Sequence, residues 1–253
     1  MQPNSFDNLP YMSQEDAFRI LDTPICELEL ESDYYKAIFH LSKFPGLETE
    51  QKLISLLACK SNHQAILIAQ RKAIEVLGRL GCKESIPSIA YFLESEDPYL
   101  VENALWSLKE LNCRDTKIQK KILKLLDKEE KYRRILIQTI ASMRIPSAMP
   151  KIKMILRDKS TSNIDKGASI VAIYKLSGEK NSFEFLEGYL FSTNQNDRQC
   201  AIQDIIDIGL IEFIPALLRS PVASSFRLRA INKLWPDDKL NIKDLNILSV
   251  LDS

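Results

Sequence analysis

Seven times along this chain a small or apolar residue is followed four positions later by Leu or Ile, and in six of the seven by another apolar residue three positions beyond that. The first positions are Ala37, Ala73, Ala104, Leu136, Ser169, Ala201 and Ala230; the second are Leu41, Leu77, Leu108, Ile140, Ile173, Ile205 and Leu234. Successive first positions are 36, 31, 32, 33, 32 and 29 residues apart. Positions i, i+4 and i+7 lie on one face of an α-helix, and a small residue at i lets a neighbouring helix come close. A chain that repeats one amphipathic helix at this interval buries each apolar face against the next unit, so it is built from stacked helical pairs and not around one central core.

The third positions are Phe44, Leu80, Leu111, Met143, Leu176 and Ile208, and the seventh unit breaks the pattern with Asp237 after Trp235 and Pro236. Helix stops follow them: Gly81, Asn112 and Gly209 come one residue later and Gly178 two later, where a left-handed C-cap suits Gly or Asn. A second apolar stripe then begins in each unit, as in Leu53, Leu56 and Leu57, in Ile152, Ile155 and Leu156, and in Ile214, Leu217 and Leu218. Pro87, Pro150 and Pro215 stand near the starts of three of these second helices, where a missing N–H is tolerated. The absence of the W-x2-L-G-x2-Y and T-P-L-H-x-A patterns selects HEAT over tetratricopeptide or ankyrin hairpins. The expected fold is all-α, a HEAT-like α-solenoid of about seven helical hairpins.

Residues 1–31 read as an N-terminal capping segment, residues 32–236 as the repeat array and residues 237–253 as a C-terminal cap or tail. Ser13 and Asp16 have capping-box spacing ahead of Ala17, Phe18, Ile20 and Leu21, which predicts a helix sealing the first hairpin. The polar runs Arg157 to Asp165 and Ser192 to Asp197 read as loops between units.

The 34 basic and 34 acidic residues cancel and form no long block of one sign, which argues against nucleic acid as a partner. No stretch approaches the roughly 18 apolar residues needed to span a bilayer, and the N-terminus lacks the basic and apolar regions of a signal peptide. The expectation is a cytoplasmic protein with no membrane span. Cys26, Cys59, Cys82, Cys113 and Cys200 are odd in number, widely spaced and without a CxxC, as expected of reduced thiols.

His40 and His63 stand in no metal-ligand spacing, and the chain has no P-loop, GxGxxG or GxSxG. Catalytic residues are therefore not assigned, and no metal site is expected. Cys82 and Cys113 follow first helices at equivalent points of consecutive units, so stacking brings them near one another, either as packing residues or as ligands of an iron–sulfur cluster. In DPYLVENALWSL, Asp97 to Leu108, the core positions are accompanied by Tyr99, Glu102, Asn103 and Trp106, large or polar groups that packing alone does not require. Arg71, Arg133, Arg134, Arg198, Asp204 and Asp207 recur as polar groups off the core stripe. These either ladder adjacent hairpins together or line a groove.

With RKAIEVLGRLG (Arg71 to Gly81), DPYLVENALWSL, NQNDRQ (Asn194 to Gln199) and SPVASSFRLRAINKLWP (Ser220 to Pro236), the chain resembles the cyanobacterial HEAT-repeat phycobilin lyase family. That group includes the phycocyanobilin lyase E subunit and the bilin biosynthesis proteins. The chain is also similar to the related HEAT-repeat protein that partners IscA in iron–sulfur metabolism. The resemblance implies a groove for an open-chain tetrapyrrole (a phycobilin), a protein partner such as a phycobiliprotein subunit or second lyase subunit, and assistance to thioether formation on the partner's cysteine. On that reading Arg71, Arg133, Arg134 and Arg198 pair with bilin propionates, Asp204 or Asp207 holds pyrrole nitrogens, and Tyr99 and Trp106 stack on the rings, with Glu102 and Asn103 beside them. The alternatives are a scaffold holding an iron–sulfur cluster with an IscA-type partner, and a photosynthetic assembly scaffold without catalysis.

Overall fold

The structure is a computed structural model and describes residues 11–128 and 131–235. Among the described residues it is all-α, a HEAT-like succession of helical hairpins with no strand. A helix α1 (Gln14–Asp22) precedes seven first helices: α2 (Asp33–Leu41), α4 (Gln64–Leu80), α6 (Pro98–Glu110), α8 (Arg133–Ser142), α10 (Asn163–Ser177), α12 (Gln195–Ile208) and α14 (Ser224–Leu234). Six second helices alternate with them: α3 (Leu47–Leu57), α5 (Ile86–Tyr91), α7 (Thr116–Lys128), α9 (Met149–Arg157), α11 (Phe183–Tyr189) and α13 (Ile214–Arg219). The chain forms two compact units that divide within α7, between Ile122 and Leu123.

Every first and second position of the repeat is buried, and Ala37, Ala73, Ala104, Leu136 and Ser169 are wholly so. The small side chains let first helices pack on one another, α2 against α4 and α4 against α6 in the first unit, α8, α10, α12 and α14 in succession in the second. At the third position Leu111, Met143 and Ile208 are buried, whereas Phe44, Leu80 and Leu176 are only half-buried. A buried Leu truncated to Ala in such an interface loses about 2–5 kcal/mol.

The helix ends follow local chemistry. Gly81, Gly178 and Gly209 have φ near +75° as left-handed caps, and Asn112 takes the same conformation at φ 50°. Arg144 also does so, at φ 52° after α8, with no composition signal to announce it. Pro87, Pro150 and Pro215 sit in the first turns of α5, α9 and α13. Ser13 Oγ accepts from Asp16 N at 3.1 Å, which is one half of the expected capping box, while the Asp16 carboxylate accepts from the Ser13 hydroxyl at 2.7 Å and not from its backbone N–H; α1 packs on α2.

The two polar runs are shorter as loops than expected. Ser162 and Asn194 are N-caps, accepting from Asp165 N and Asn196 N, so the ends of both runs form the first turns of α10 and α12. Polar residues there satisfy the unpaired N–H groups of a helix start. The proposed C-terminal cap, residues 237–253, and Pro236 lie outside the described residues.

In the second unit Leu186, Leu190, Ile205, Phe213 and Leu217 are buried in one cluster around α11 to α13, where the Phe183 and Phe213 rings lie 5.0 Å apart. In the first unit α4 and α6 touch at Gly78, where an added Cβ would lie 2.6 Å from Ser107 Oγ. That hydroxyl donates to Ile74 O at 2.7 Å, replacing a bond lost to burial.

Candidate functional site

In the first unit the backbone of α6 gathers the residues of DPYLVENALWSL. Asp97 caps the helix by accepting from Tyr99 N at 2.9 Å and Leu100 N at 3.2 Å, and it forms an ion pair with Arg71 of α4. The Arg71 guanidinium also lies over the Tyr99 ring, 4.7 Å from its centroid, so carboxylate and aromatic face hold one cation. Burial alone would raise the Asp97 carboxyl, but hydrogen bonds from Arg71 and from the α6 backbone hold it below the ordinary aspartate range. Arg71 Nε is buried without a hydrogen-bond partner. Two turns on, Trp106 lies under Arg79, 5.9 Å from guanidinium carbon to ring centroid. Tyr99 is 58% exposed, Glu102 is exposed, and Asn103 and Trp106 are half-exposed. The structure thus joins Arg71 to Tyr99 directly and leaves the rest of the α6 face turned outward.

In the second unit Arg134 of α8 reaches Asp204 of α12, donating at 2.7 and 3.1 Å to its two oxygens and at 2.7 Å to Ile164 O. Asp204 is buried, and the two groups named as separate bilin contacts face each other. Burial raises the Asp204 carboxyl, to about 6, against the lowering pull of Arg134. Arg133 lies 4.0 Å from Asp165. Arg198 donates to Ser192 O at 2.6 Å and Thr193 O at 3.1 Å, tying down the loop before its own helix, and Asp207 accepts from Gln203 at 2.9 Å.

Sequence reading passed over two troughs that second helices make over a first helix. In the first unit a cavity of about 910 Å³ lies over Leu67 and Gln70 of α4, walled by Cys59, Pro87 and Tyr91, with Lys60 and Glu94 as its two charged groups. In the second unit a cavity of about 560 Å³ lies over α10 between α9 and α11. Its signal in the sequence is the stripe Lys166, Ile170, Ile173 at helical spacing, a cation continuing an apolar face.

Cys82 and Cys113 are buried, and burial raises both thiols, Cys82 to about 11 with a further push from Glu50. Sγ of Cys82 and carboxylate oxygens of Glu50 and Glu84 all lie within 4.8 Å of one another, an arrangement of a protonated thiol between two acids. His40 is buried, and burial followed by the Lys43 charge lowers its pKa, so it is a neutral packing residue.

No family-level sequence profile matches the chain. Over 228 residues, 90% of its length, it is 38% identical to the bilin biosynthesis protein CpeY of Synechococcus sp. (strain WH8020). It is 33% identical over 230 residues to the uncharacterized phycocyanin operon protein Y of Pseudanabaena tenuis (strain PCC 7409). The phycocyanobilin lyase subunit alpha of Nostoc sp. (strain PCC 7120) is 26% identical, with 73% of each chain covered. Over most of its length the chain is thus similar to a bilin biosynthesis protein and, more distantly, to a phycocyanobilin lyase subunit. It spans 54% of the length of each of the first two relatives. Its fold matches a chain of the CpcE–CpcF complex of phycocyanin lyase from Nostoc sp. PCC7120, with a TM-score of 0.77, 22% identity and coverage of 100% of this chain and 98% of that one. That likeness shows the fold, a HEAT-like α-solenoid. The comparisons support the bilin reading and not the iron–sulfur one. Among the described residues no helix is long and apolar enough to cross a membrane.

Proposed function

We propose that this chain handles an open-chain tetrapyrrole for attachment to a phycobiliprotein, as a bilin lyase or one subunit of such a lyase. The observation that carries this is the continuous 38% identity to a bilin biosynthesis protein over 90% of the chain, on a fold that aligns along its whole length with a lyase chain. The chemistry suits a scaffold without a catalytic triad. Adding a thiol across a carbon–carbon double bond forms a C–S bond and moves the thiol proton to carbon, with no net oxidation, and the nucleophile belongs to the acceptor protein. What is required of the chain is to hold the bilin in one conformation and present it to one cysteine.

The outward face of α6, with Tyr99, Glu102, Asn103 and Trp106 and with Arg71 held behind Tyr99, is on this reading a contact surface for bilin or acceptor protein. The complex in which the neighbouring structure was solved supports a protein partner, a second lyase subunit or the acceptor. Arg134 and Asp204 tie α8 to α12 within the second unit, and on this reading they support its geometry and do not themselves contact bilin.

Co-expression of the chain with a bilin-producing pathway and a phycobiliprotein subunit, with and without a second lyase subunit, tests this. The expected result is a bilin absorbance that stays with the denatured acceptor and is lost when the chain is omitted. Equal chromophore yield with and without the chain would overturn it. A coloured acceptor requiring the chain only as a stoichiometric partner would identify a non-catalytic assembly scaffold.

A further inference from the structure

The trough over α10 is the part of the molecule where an apolar floor, aromatic walls and uncompensated positive charge coincide. Its floor is Leu156 from α9 and Ile170 and Ile173 from α10. Phe185, 55% exposed, and the half-buried Tyr189 come from α11, four residues apart and so on one face of it. An exposed Phe over a hydrophobic floor gains nothing from its exposure in a monomer, and a planar ligand covering it would remove that surface from water.

The rim is charged on one side. Lys153, Arg157, Lys159 and Lys166 line the trough, and Glu179 is the single acid among its lining residues. Glu179 accepts from Lys153 at 2.8 Å, which accounts for one cation. Arg157 and Lys159 are exposed and make no ion pair among the described residues, and Lys166, whose charge helps lower the Asp158 carboxyl, makes none within 4 Å. Three cations are thus left facing a cavity of about 560 Å³, a volume within the roughly 300–1,000 Å³ of small-molecule sites. The larger trough in the first unit has one cation and one acid, so its charge selects nothing.

We infer that this trough between α9 and α11 seats the carboxylate-bearing part of an open-chain tetrapyrrole, with Arg157, Lys159 and Lys166 meeting its propionates and Phe185 and Tyr189 flanking its pyrrole rings. The inference rests on the proposed bilin function and assigns it a place. A tetrapyrrole with two propionates is apolar in its conjugated body and dianionic along one edge, the same division of properties as floor and rim. Glu179 opposes the ligand, since it neutralises Lys153 and adds a negative charge at the rim.

The test titrates the purified chain with phycocyanobilin and, separately, with its dimethyl ester, which keeps the conjugated body and loses both charges. Absorbance and fluorescence report binding, and thermal melts accompany each variant. The double variant Arg157→Glu, Lys159→Glu alters two exposed side chains. It is expected to bind the free acid about tenfold or more weakly while the ester changes by less than about twofold. Glu179→Gln is expected to tighten the acid by about two- to fivefold and leave the ester unchanged. Affinity for the acid should also fall with added salt, because the cations are exposed. If the chain binds the acid and the charge-reversed variant binds it equally well, or if acid and ester weaken together, the trough is not the seat of the carboxylates and the bilin function stands. If the wild-type chain binds neither form and supports no chromophore attachment, the bilin function itself fails, and the trough assignment with it.

Discussion

Arg134 and Asp204, 70 residues apart in sequence, form a two-point ion pair from α8 to α12 that passes over α10 at Gly167. A Cβ on Gly167 would stand 2.4 Å from Asp204 Oδ2, so the absence of a side chain at 167 is what lets the two charged groups meet. The pair links three consecutive first helices. Asp204→Asn leaves a guanidinium held in place without its countercharge, and a loss of about 3–5 kcal/mol is expected in chemical denaturation. Gly167→Ala adds roughly 1 kcal/mol of helix propensity but crowds the carboxylate, an effect of about 1–3 kcal/mol. A lower Tm is expected, and a raised one would show that the close approach does not constrain the pair.

Asp97 makes the first unit sensitive to acid. Its folded pKa lies below the ordinary aspartate value because Arg71 and the α6 N-terminus favour the carboxylate over the desolvation that opposes it. The unfolded state therefore takes up its proton first as pH falls. The stability Asp97 adds is fully present above about pH 4, where the unfolded group is ionised, and is lost as pH drops through the folded value. The difference in stability between wild type and Asp97→Asn should be largest at neutral pH and shrink toward pH 3. A difference independent of pH would show that ionisation of Asp97 contributes nothing to stability.

Arg144 occupies a backbone conformation that glycine adopts at the equivalent ends of α4, α10 and α12. Its side chain is exposed. A left-handed conformation costs a residue with a Cβ about 1–2 kcal/mol, part of which glycine returns through its greater unfolded-state freedom. Arg144→Gly is expected to raise stability by roughly 0.5–1 kcal/mol, measured by urea denaturation. A destabilised variant would show that the arginine makes a contact outweighing its backbone strain.

Thiol labelling should separate the cysteines by burial. Cys26 and Cys59 are exposed, whereas Cys82 and Cys113 are buried with raised pKa values. At pH 8 in native buffer, alkylation read by mass spectrometry should modify the first two quickly and the last two only on unfolding. Fast native labelling of Cys82 would mean that its environment opens to solvent, and would revive its candidacy as a ligand.

The seven-fold register in the sequence carried the helices, their order, the buried positions and most of the caps, because each depends on residues within one or two turns of the chain. Ala73 and Leu77 predict their burial through helical periodicity, and Pro87 marks a helix start through the geometry of a single ring. The site behaved differently. Nothing local distinguishes Arg134, half-buried and paired with the buried Asp204, from Arg157, exposed on the rim of a trough, since both are arginines on amphipathic helices. Their difference is set by what adjacent hairpins bring within a few ångströms, at separations of tens of residues. Tertiary packing decided which charges neutralise each other and which are left exposed, because Coulomb energy and desolvation depend on distance and burial, and neither is a property of the sequence neighbourhood.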